Sequence, residues 1–318
     1  MYRNRDIGIN YIKARKDHRC YGMGLGIIIL DDVYPGFPGD VRNASAYPFP
    51  IQYEIAQGVN IWALVHEEDK SPCLEPIQRA AKKLERMGCR AIAAECGYFA
   101  YFQREIASHV DIPVFMSSLL QVAFAQQLIG PDKVVGLLVA RESQLTDAHL
   151  EAVGVQLGSN YVISGAEDDG RCPEFEHLWY EPERTDPPGA YYDKAEKDFV
   201  AVARDFFEAH PNMGAMVLEC TGFQPFARAL QRQIDIPIFS WGTPKNQQQA
   251  RWRKLKVIEA TINASEYGKQ TRIRASFQRK ILDNMGAVME ARPIDDAKFY
   301  QDFFLKVDKA IFLQKEKL

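Results

Sequence analysis

Residues 93–115 read AAECGYFAYFQREIASHVDIPVF, and residues 217–239 read VLECTGFQPFARALQRQIDIPIF. Set 124 positions apart without a gap, the stretches agree at nine of the twenty-one positions from Glu95 to Phe115, where average residue usage gives roughly one or two. Each reads as a buried strand ending in Glu-Cys, then a helix, then a short strand introduced by Asp-Ile-Pro. A repeat that occurs twice and is longer than a solenoid unit describes two similar α/β domains facing one another.

Working outward, short Val/Ile-rich runs alternate with segments of helical period, the pattern of β-α units around a parallel sheet. In the first half strands are expected at Gly24–Leu30, Val59–Val65, Arg90–Ala94 and Ile112–Phe115, with helices at Leu74–Met87, Phe99–Ser108 and Leu119–Ile129. The second half restarts with DKVVGLLVA and continues through a helix near Thr146–Val153, strand NYVIS and a polar insertion near Gly165–Tyr192. A helix over Asp193–Ala209 and strands AMVLE and IPIFS complete it.

The expected fold class is α/β: two pseudo-symmetric, flavodoxin-like parallel-sheet domains with a helical C-terminal extension. The boundaries are an N-terminal extension at 1–22, domain 1 at 23–125, domain 2 at 126–243 and a basic extension at 244–318. Residues 245–318 carry sixteen Lys and Arg against nine Asp and Glu, a net of +7, which leaves the first 244 residues at −10. Tyr300, Phe303, Phe304, Val307, Ala310 and Ile311 fall at helical spacing, so one helix face is to be buried, on the acidic body or across a dimer interface. Nucleic-acid binding through KNQQQARWRKLK is the weaker reading.

Composition narrows the function classes. A chain of 318 residues suits two domains of moderate size. With 47% hydrophobic and 25% charged residues and a net charge of −3, it reads as a soluble globular protein with no general reason to bind nucleic acid or membrane. The charged N-terminus lacks the apolar run of a secretory signal, so a cytoplasmic protein is expected. Six cysteines form no C-x-x-C pair and six histidines show no metal spacing, so neither a metal nor another cofactor is expected. Glycines in GMGLG precede the first strand and cannot form a dinucleotide phosphate turn, which follows it.

Cys96 and Cys220 stand where a buried strand stops and a helix begins, the edge at which open α/β sheets bind ligands. There a thiol feels the helix start and free backbone N–H groups, and its pKa is expected to fall toward neutrality. Two such thiols in facing domains suit proton removal from one face of a carbon beside a carboxylate and proton return to the other. The enediolate that forms needs hydrogen-bond donors, which helix-start N–H groups and hydroxyls supply.

These residues resemble the aspartate/glutamate/hydantoin racemase superfamily, over about Gly24 to Phe239, through Glu-Cys96-Gly-Tyr, Glu-Cys220-Thr-Gly, PVFMSSLLQV and PIFSWG. The resemblance implies a cofactor-independent racemase or epimerase acting on a small carboxylate substrate, an amino acid or a hydantoin-like compound. It implies Cys96 and Cys220 as acid and base, Thr221 as a substrate-carboxylate contact, and Ser117 and Ser118 as hydroxyl donors. Decarboxylases and cis-trans isomerases of the same superfamily are the alternatives, and a non-catalytic small-molecule-binding protein is the alternative of another class. Amino-acid racemases of the group show Asn-Thr after the first Cys; Gly97-Tyr98 here shifts weight toward hydantoin-like or other small carboxylates.

The remaining candidates surround these. Gly97, Tyr98 and Gly222 shape the two Cys turns, and Tyr98 has no aromatic mate in the repeat. Asp31, Asp32, Asp40, Arg42 and Asn43 lie at the end of the first strand or in the long loop after it, and Asp31 and Asn43 are assigned to the substrate. His66 is the histidine placed nearest the cleft. Strand alternation turns Glu95 and Glu219 away from the thiols, toward backbone N–H groups or Arg104 and Arg228; a Glu facing its thiol would instead raise that thiol's pKa. Phe99, Phe102, Phe223 and Phe226 read as core. A homodimer or higher homo-oligomer is left open.

Overall fold

LGIIIL is apolar along its whole length and forms β1 (Leu25–Leu30), a central strand, as a run buried on both faces should. The structure is a computed structural model that describes residues 14, 16–175, 187–243, 255–267, 270–282 and 288–305. In it β1 pairs in parallel with β2 (Ile51–Ala56) and β3 (Ile92–Ala94), and β3 pairs with β4 (Val114–Phe115). The same order returns in β5 (Val134–Val139), β6 (Tyr161–Gly165), β7 (Met213–Leu218) and β8 (Ile238–Phe239). The two four-stranded sheets run β2-β1-β3-β4 and β6-β5-β7-β8.

Helices cover the sheets by their apolar stripes. Ser71–Arg86 buries Ile77, Ala80, Ala81 and Leu84, spaced by three and four, in the core of the first half. Tyr192–Ala209 buries Ala195, Phe199, Val202 and Phe206 in the second. Phe99, Phe102, Phe223 and Phe226 are all core residues.

One expected strand is not a strand. Residues 59–65 turn into the helical segment Trp62–His66, while β2 is the preceding IQYEIA. Two side-chain caps drive the change: Ile61 N–H donates to Asp32 at 2.7 Å and Ala63 N–H to Asn60 at 2.9 Å. Leu64 and Val65 are buried and Trp62 is exposed, so the turn still contributes an apolar face.

The halves are joined by reciprocal bonds. After β4, Ser118 Oγ donates to the Leu218 carbonyl at 2.7 Å; after β8, Trp241 Nε1 donates to the Ala94 carbonyl at 2.8 Å. Residues 94 and 218 are related by the 124-residue offset, so each half caps the strand end that carries the other half's cysteine.

The chain divides into two compact units, residues 1–242 and 243–318. The second contradicts the expected helical extension: β9 (Leu255–Tyr267), β10 (Gln270–Leu282) and β11 (Val288–Pro293) form an antiparallel sheet of order β11-β10-β9. Its sequence alternates with period two, Ile258, Ala260, Ile262 and Ala264 against Glu259, Thr261, Asn263 and Ser265, which is strand spacing. Residues 297–305 are helical, and Phe299, Tyr300 and Phe303 pack edge-on against Phe277 of β10. Val307, Ala310, Ile311, residues 244–254 and residues 176–186 of the insertion lie outside the described residues. Among the described residues no helix is long and apolar enough to cross a membrane.

Candidate active site

Each cysteine stands two residues past its strand and opens a 3-10 helix, Gly97–Phe102 or Thr221–Phe226. Both are extended, with φ −102° and ψ 138° at Cys96 and φ −70° and ψ 129° at Cys220. Each carbonyl accepts from the N–H three residues on, Phe99 or Phe223, at 3.1 Å. The shared backbone turns both thiols into one cleft. Its walls are Leu30, Ile61, Val65, Ala140 and Tyr98, and its polar lining is Glu95, Glu167, Glu219, Cys96, Cys220 and Thr221.

Burial pushes both thiols well above the usual range, and the Glu219 carboxyl adds to the effect at each. The N–H groups of Tyr98 and Gly222 pull the other way but do not offset it. The expected fall toward neutrality is therefore reversed: each turn offers its thiol one good N–H, while desolvation and neighbouring carboxyls act on the same sulfur.

The two Glu residues also depart from expectation, because both line the cleft with the thiols. Glu95 accepts from Leu30 N–H at 2.7 Å and pairs with Arg42, whose Nε lies 2.6 Å from Oε1 and whose Nη2 donates to Oε2 at 2.8 Å. Burial raises its pKa, with Arg42 opposing. Glu219 is fully buried and accepts from Ala140 N–H at 3.3 Å. Among the described residues no cation opposes its burial, and its carboxyl is pushed up to about 8. Arg104 donates to the Glu151 carbonyl instead of holding Glu95.

The other candidates divide. Gly97 touches Glu219 so closely that a Cβ there would collide with the carboxylate, so the residue after the first Cys is small because Glu219 fills the space. A Cβ at Gly222 would lie 3.2 Å from Phe175 and 3.5 Å from Cys220 Sγ. Tyr98 lines the cleft and reaches into the second half, donating to the Arg141 carbonyl at 2.8 Å and accepting from Arg141 N–H at 3.0 Å. Thr221 lines the cleft as well.

Asp31, Asn43, Ser117 and Ser118 are not among the lining residues. Asp31 accepts from Gly58 N–H at 2.9 Å, and Asn43 caps the turn Ala44–Ala46 through Ser45 N–H. Ser117 accepts from Leu119 N–H at 3.2 Å, and Ser118 forms the inter-half bond. Asp40 accepts from Tyr34 and from Arg42 N–H, and burial raises its carboxyl to about 7. His66 stacks on Trp62 outside the lining. Glu167 is the polar lining residue that sequence reasoning missed, along with the apolar walls Leu30, Ile61, Val65 and Ala140; Glu167 follows β6 by two positions, at the same sheet edge that singled out the cysteines.

No protein-family model matches the chain. It is 25% identical over 232 residues to a dimethylsulfoniopropionate lyase of Durusdinium sp. clade D, covering 70% of this chain and 73% of the relative. It is 27% identical over 224 residues to dimethylsulfoniopropionate lyase 3 of Emiliania huxleyi (strain CCMP1516), covering 68% of this chain and 56% of that relative. Among solved structures it is similar to an aspartate racemase homologue of Pyrococcus horikoshii, with TM-score 0.40, 19% identity and coverage of 68% and 92%. A maleate cis-trans isomerase mutant of Nocardia farcinica gives TM-score 0.43, 13% identity and coverage of 70% and 89%. Solved structures similar to this chain thus include a racemase homologue and a cis-trans isomerase, the group that its sequence resembles. The curated relatives carry lyase names, which the isomerase class read from the sequence does not match.

Proposed function

We propose that this chain removes a proton from the carbon beside a carboxylate and that its principal reaction is a β-elimination from a β-onium carboxylate of the dimethylsulfoniopropionate kind. The observation that carries the reading is the lining: two thiols beside Glu95, Glu167 and Glu219, with no Lys, Arg or His among the described lining residues. With Glu95 paired to Arg42 and Glu219 raised by burial, the lining still offers carboxyl oxygens and no cation of its own among the described lining residues, a setting that favours a cationic substrate group over a second carboxylate. It also makes the substrate's charge useful, because a sulfonium next to a thiol lowers a pKa that burial has raised, turning the thiol into a base when substrate is bound.

The step balances without a further reactant. A thiolate takes the Cα proton, the C–H electron pair becomes the carbon–carbon double bond, and the C–S pair leaves with neutral dimethyl sulfide, giving acrylate. Thr221 and the N–H groups that follow each Cys are the donors for the substrate carboxylate, whose oxygens gain charge as the proton leaves. The test is headspace measurement of dimethyl sulfide from dimethylsulfoniopropionate, with solvent-deuterium exchange at Cα followed in the same samples. Release above the uncatalysed rate supports the reading. Exchange on chiral amino acids or hydantoins without release on the sulfonium substrate overturns it in favour of racemisation, the second reading, which the equivalent placement of Cys96 and Cys220 favours. No exchange across the panel favours a binding protein.

A further inference from the structure

Glu95 and Glu219 occupy the same place in the repeat, and each accepts from the N–H at the end of the neighbouring strand, Leu30 or Ala140. Arg42 pairs with Glu95, donating from Nη2 to Oε2 at 2.8 Å and placing the charged Nε 2.6 Å from Oε1, although that second contact lacks hydrogen-bond geometry. At Glu219, Oε2 takes the Ala140 N–H while Oε1 is buried with no hydrogen-bond partner. Gly97 lies against that carboxyl, and the polar or titratable groups that share the cleft with it among the described residues are Cys96, Cys220, Glu167, Thr221, the Arg42-paired Glu95 and Tyr98, whose hydroxyl is bonded to the Arg141 backbone. A buried carboxylate with no cation beside it and another acid nearby keeps its proton.

We propose that Glu219, as a neutral carboxylic acid, is a catalytic residue whose Oε1 hydroxyl donates a hydrogen bond to a carboxylate oxygen of the substrate. The proposal rests on the α-proton reading above. With Oε2 accepting from Ala140, Oε1 is the oxygen left to carry the proton. Removing the Cα proton moves charge onto the substrate's carboxylate oxygens, so this bond strengthens in the transition state and accelerates the chemical step. The Glu219 proton stays where it is; the Cα proton goes to a thiolate. The duplicated Glu pair has thus diverged, with Glu95 held as half of an ion pair and Glu219 kept neutral as a donor.

The experiment follows kcat/KM for dimethyl sulfide release between pH 6 and 9 in wild type, Glu219→Gln and Glu219→Leu, with uncatalysed release subtracted. An amide still donates but does not ionise. Because burial pushes the Glu219 carboxyl up to about 8, wild type is expected to lose its donor as pH rises through that value, and the ratio of Glu219→Gln to wild type to climb about tenfold from pH 7 to 9. Because the Glu219 carboxyl also raises both thiols, thiol ionisation is titrated in each protein by its iodoacetamide reactivity and divided out of the ratio. Glu219→Leu falls by about 10²–10³ at pH 7. A ratio that stays flat, or a Glu219→Leu protein with wild-type kcat/KM, overturns the proposal. Infrared difference spectra give a readout free of turnover: a carboxylic-acid C=O band at pH 7 in wild type that Glu219→Gln lacks supports it, and no such difference overturns it. If wild type neither releases dimethyl sulfide nor exchanges Cα protons, the α-proton reading itself falls, a result distinct from an active wild type with a flat ratio.

Discussion

The Cys96 half and the Cys220 half place their cysteines on equivalent turns, down to the 3.1 Å bond from each Cys carbonyl to the N–H three residues on. Around those turns the chemistry differs. The first half brings Arg42 in from the long loop after β1, and Arg42 also donates to the carbonyls of Leu30 at 2.8 Å and Asp32 at 2.5 Å. Among the described residues the second half has no cation on Glu219, and the space beside its carboxyl is opened by Gly97, which stands where Thr221 stands in the repeat. Duplication therefore supplied two like backbones, and the loops and the small residue decided which carboxyl is paired and which stays neutral.

The largest test of that comparison is to change each cysteine to serine and follow Cα deuterium exchange and dimethyl sulfide release. Elimination by a single base predicts that one variant loses about 10³-fold while the other falls by no more than about tenfold. Equal, severe losses in both would mean that the halves work as a symmetric acid/base pair. Next in size is Arg42→Leu, which leaves Glu95 buried without its partner and lowers stability by roughly 3–5 kcal/mol in urea unfolding. Glu219→Leu removes an acid that has no cation and should cost distinctly less; equal costs would break the comparison.

Gly97→Ala sharpens it further. The added methyl meets the Glu219 carboxyl, and overpacking predicts a loss of roughly 1–3 kcal/mol. Pairing it with Glu219→Ala should recover part of that loss, a coupling read from a double-mutant cycle. The smallest effect is expected at Asn43→Ala, about 0.5–1 kcal/mol from losing the cap on Ser45 N–H, with release kinetics unchanged. A fall in kcat/KM there would restore Asn43 to the substrate site.

Much of this was legible in residue order. The doubled Glu-Cys stretch located both cysteines at strand ends, and Val/Ile runs marked the central strands β1, β3, β5 and β7. Other parts were hidden for physical reasons. Residues 59–65 carry a strand's apolar content, and it is Asp32, far away in sequence, that helps cap them into a helical turn. The period-two alternation from Ile258 to Ser265 was present but overshadowed by the amphipathic spacing of Tyr300 and Phe303, so the extension was read as helical throughout. Glu167 sits in a loop whose distance from the cysteines in sequence conceals its place beside them.

By itself the sequence determined that two α/β halves face one another with a cysteine at equivalent strand ends, because hydrophobic period and internal identity are local properties of the chain. The charge state of the site was decided only by tertiary structure. Thiols expected to be acidic are raised by burial and by Glu219, and two identical Glu-Cys pairs are made unequal by one arginine from a distant loop. Desolvation and counter-ion contacts depend on which residues meet across the fold, and residue order records those meetings only once the chain has packed.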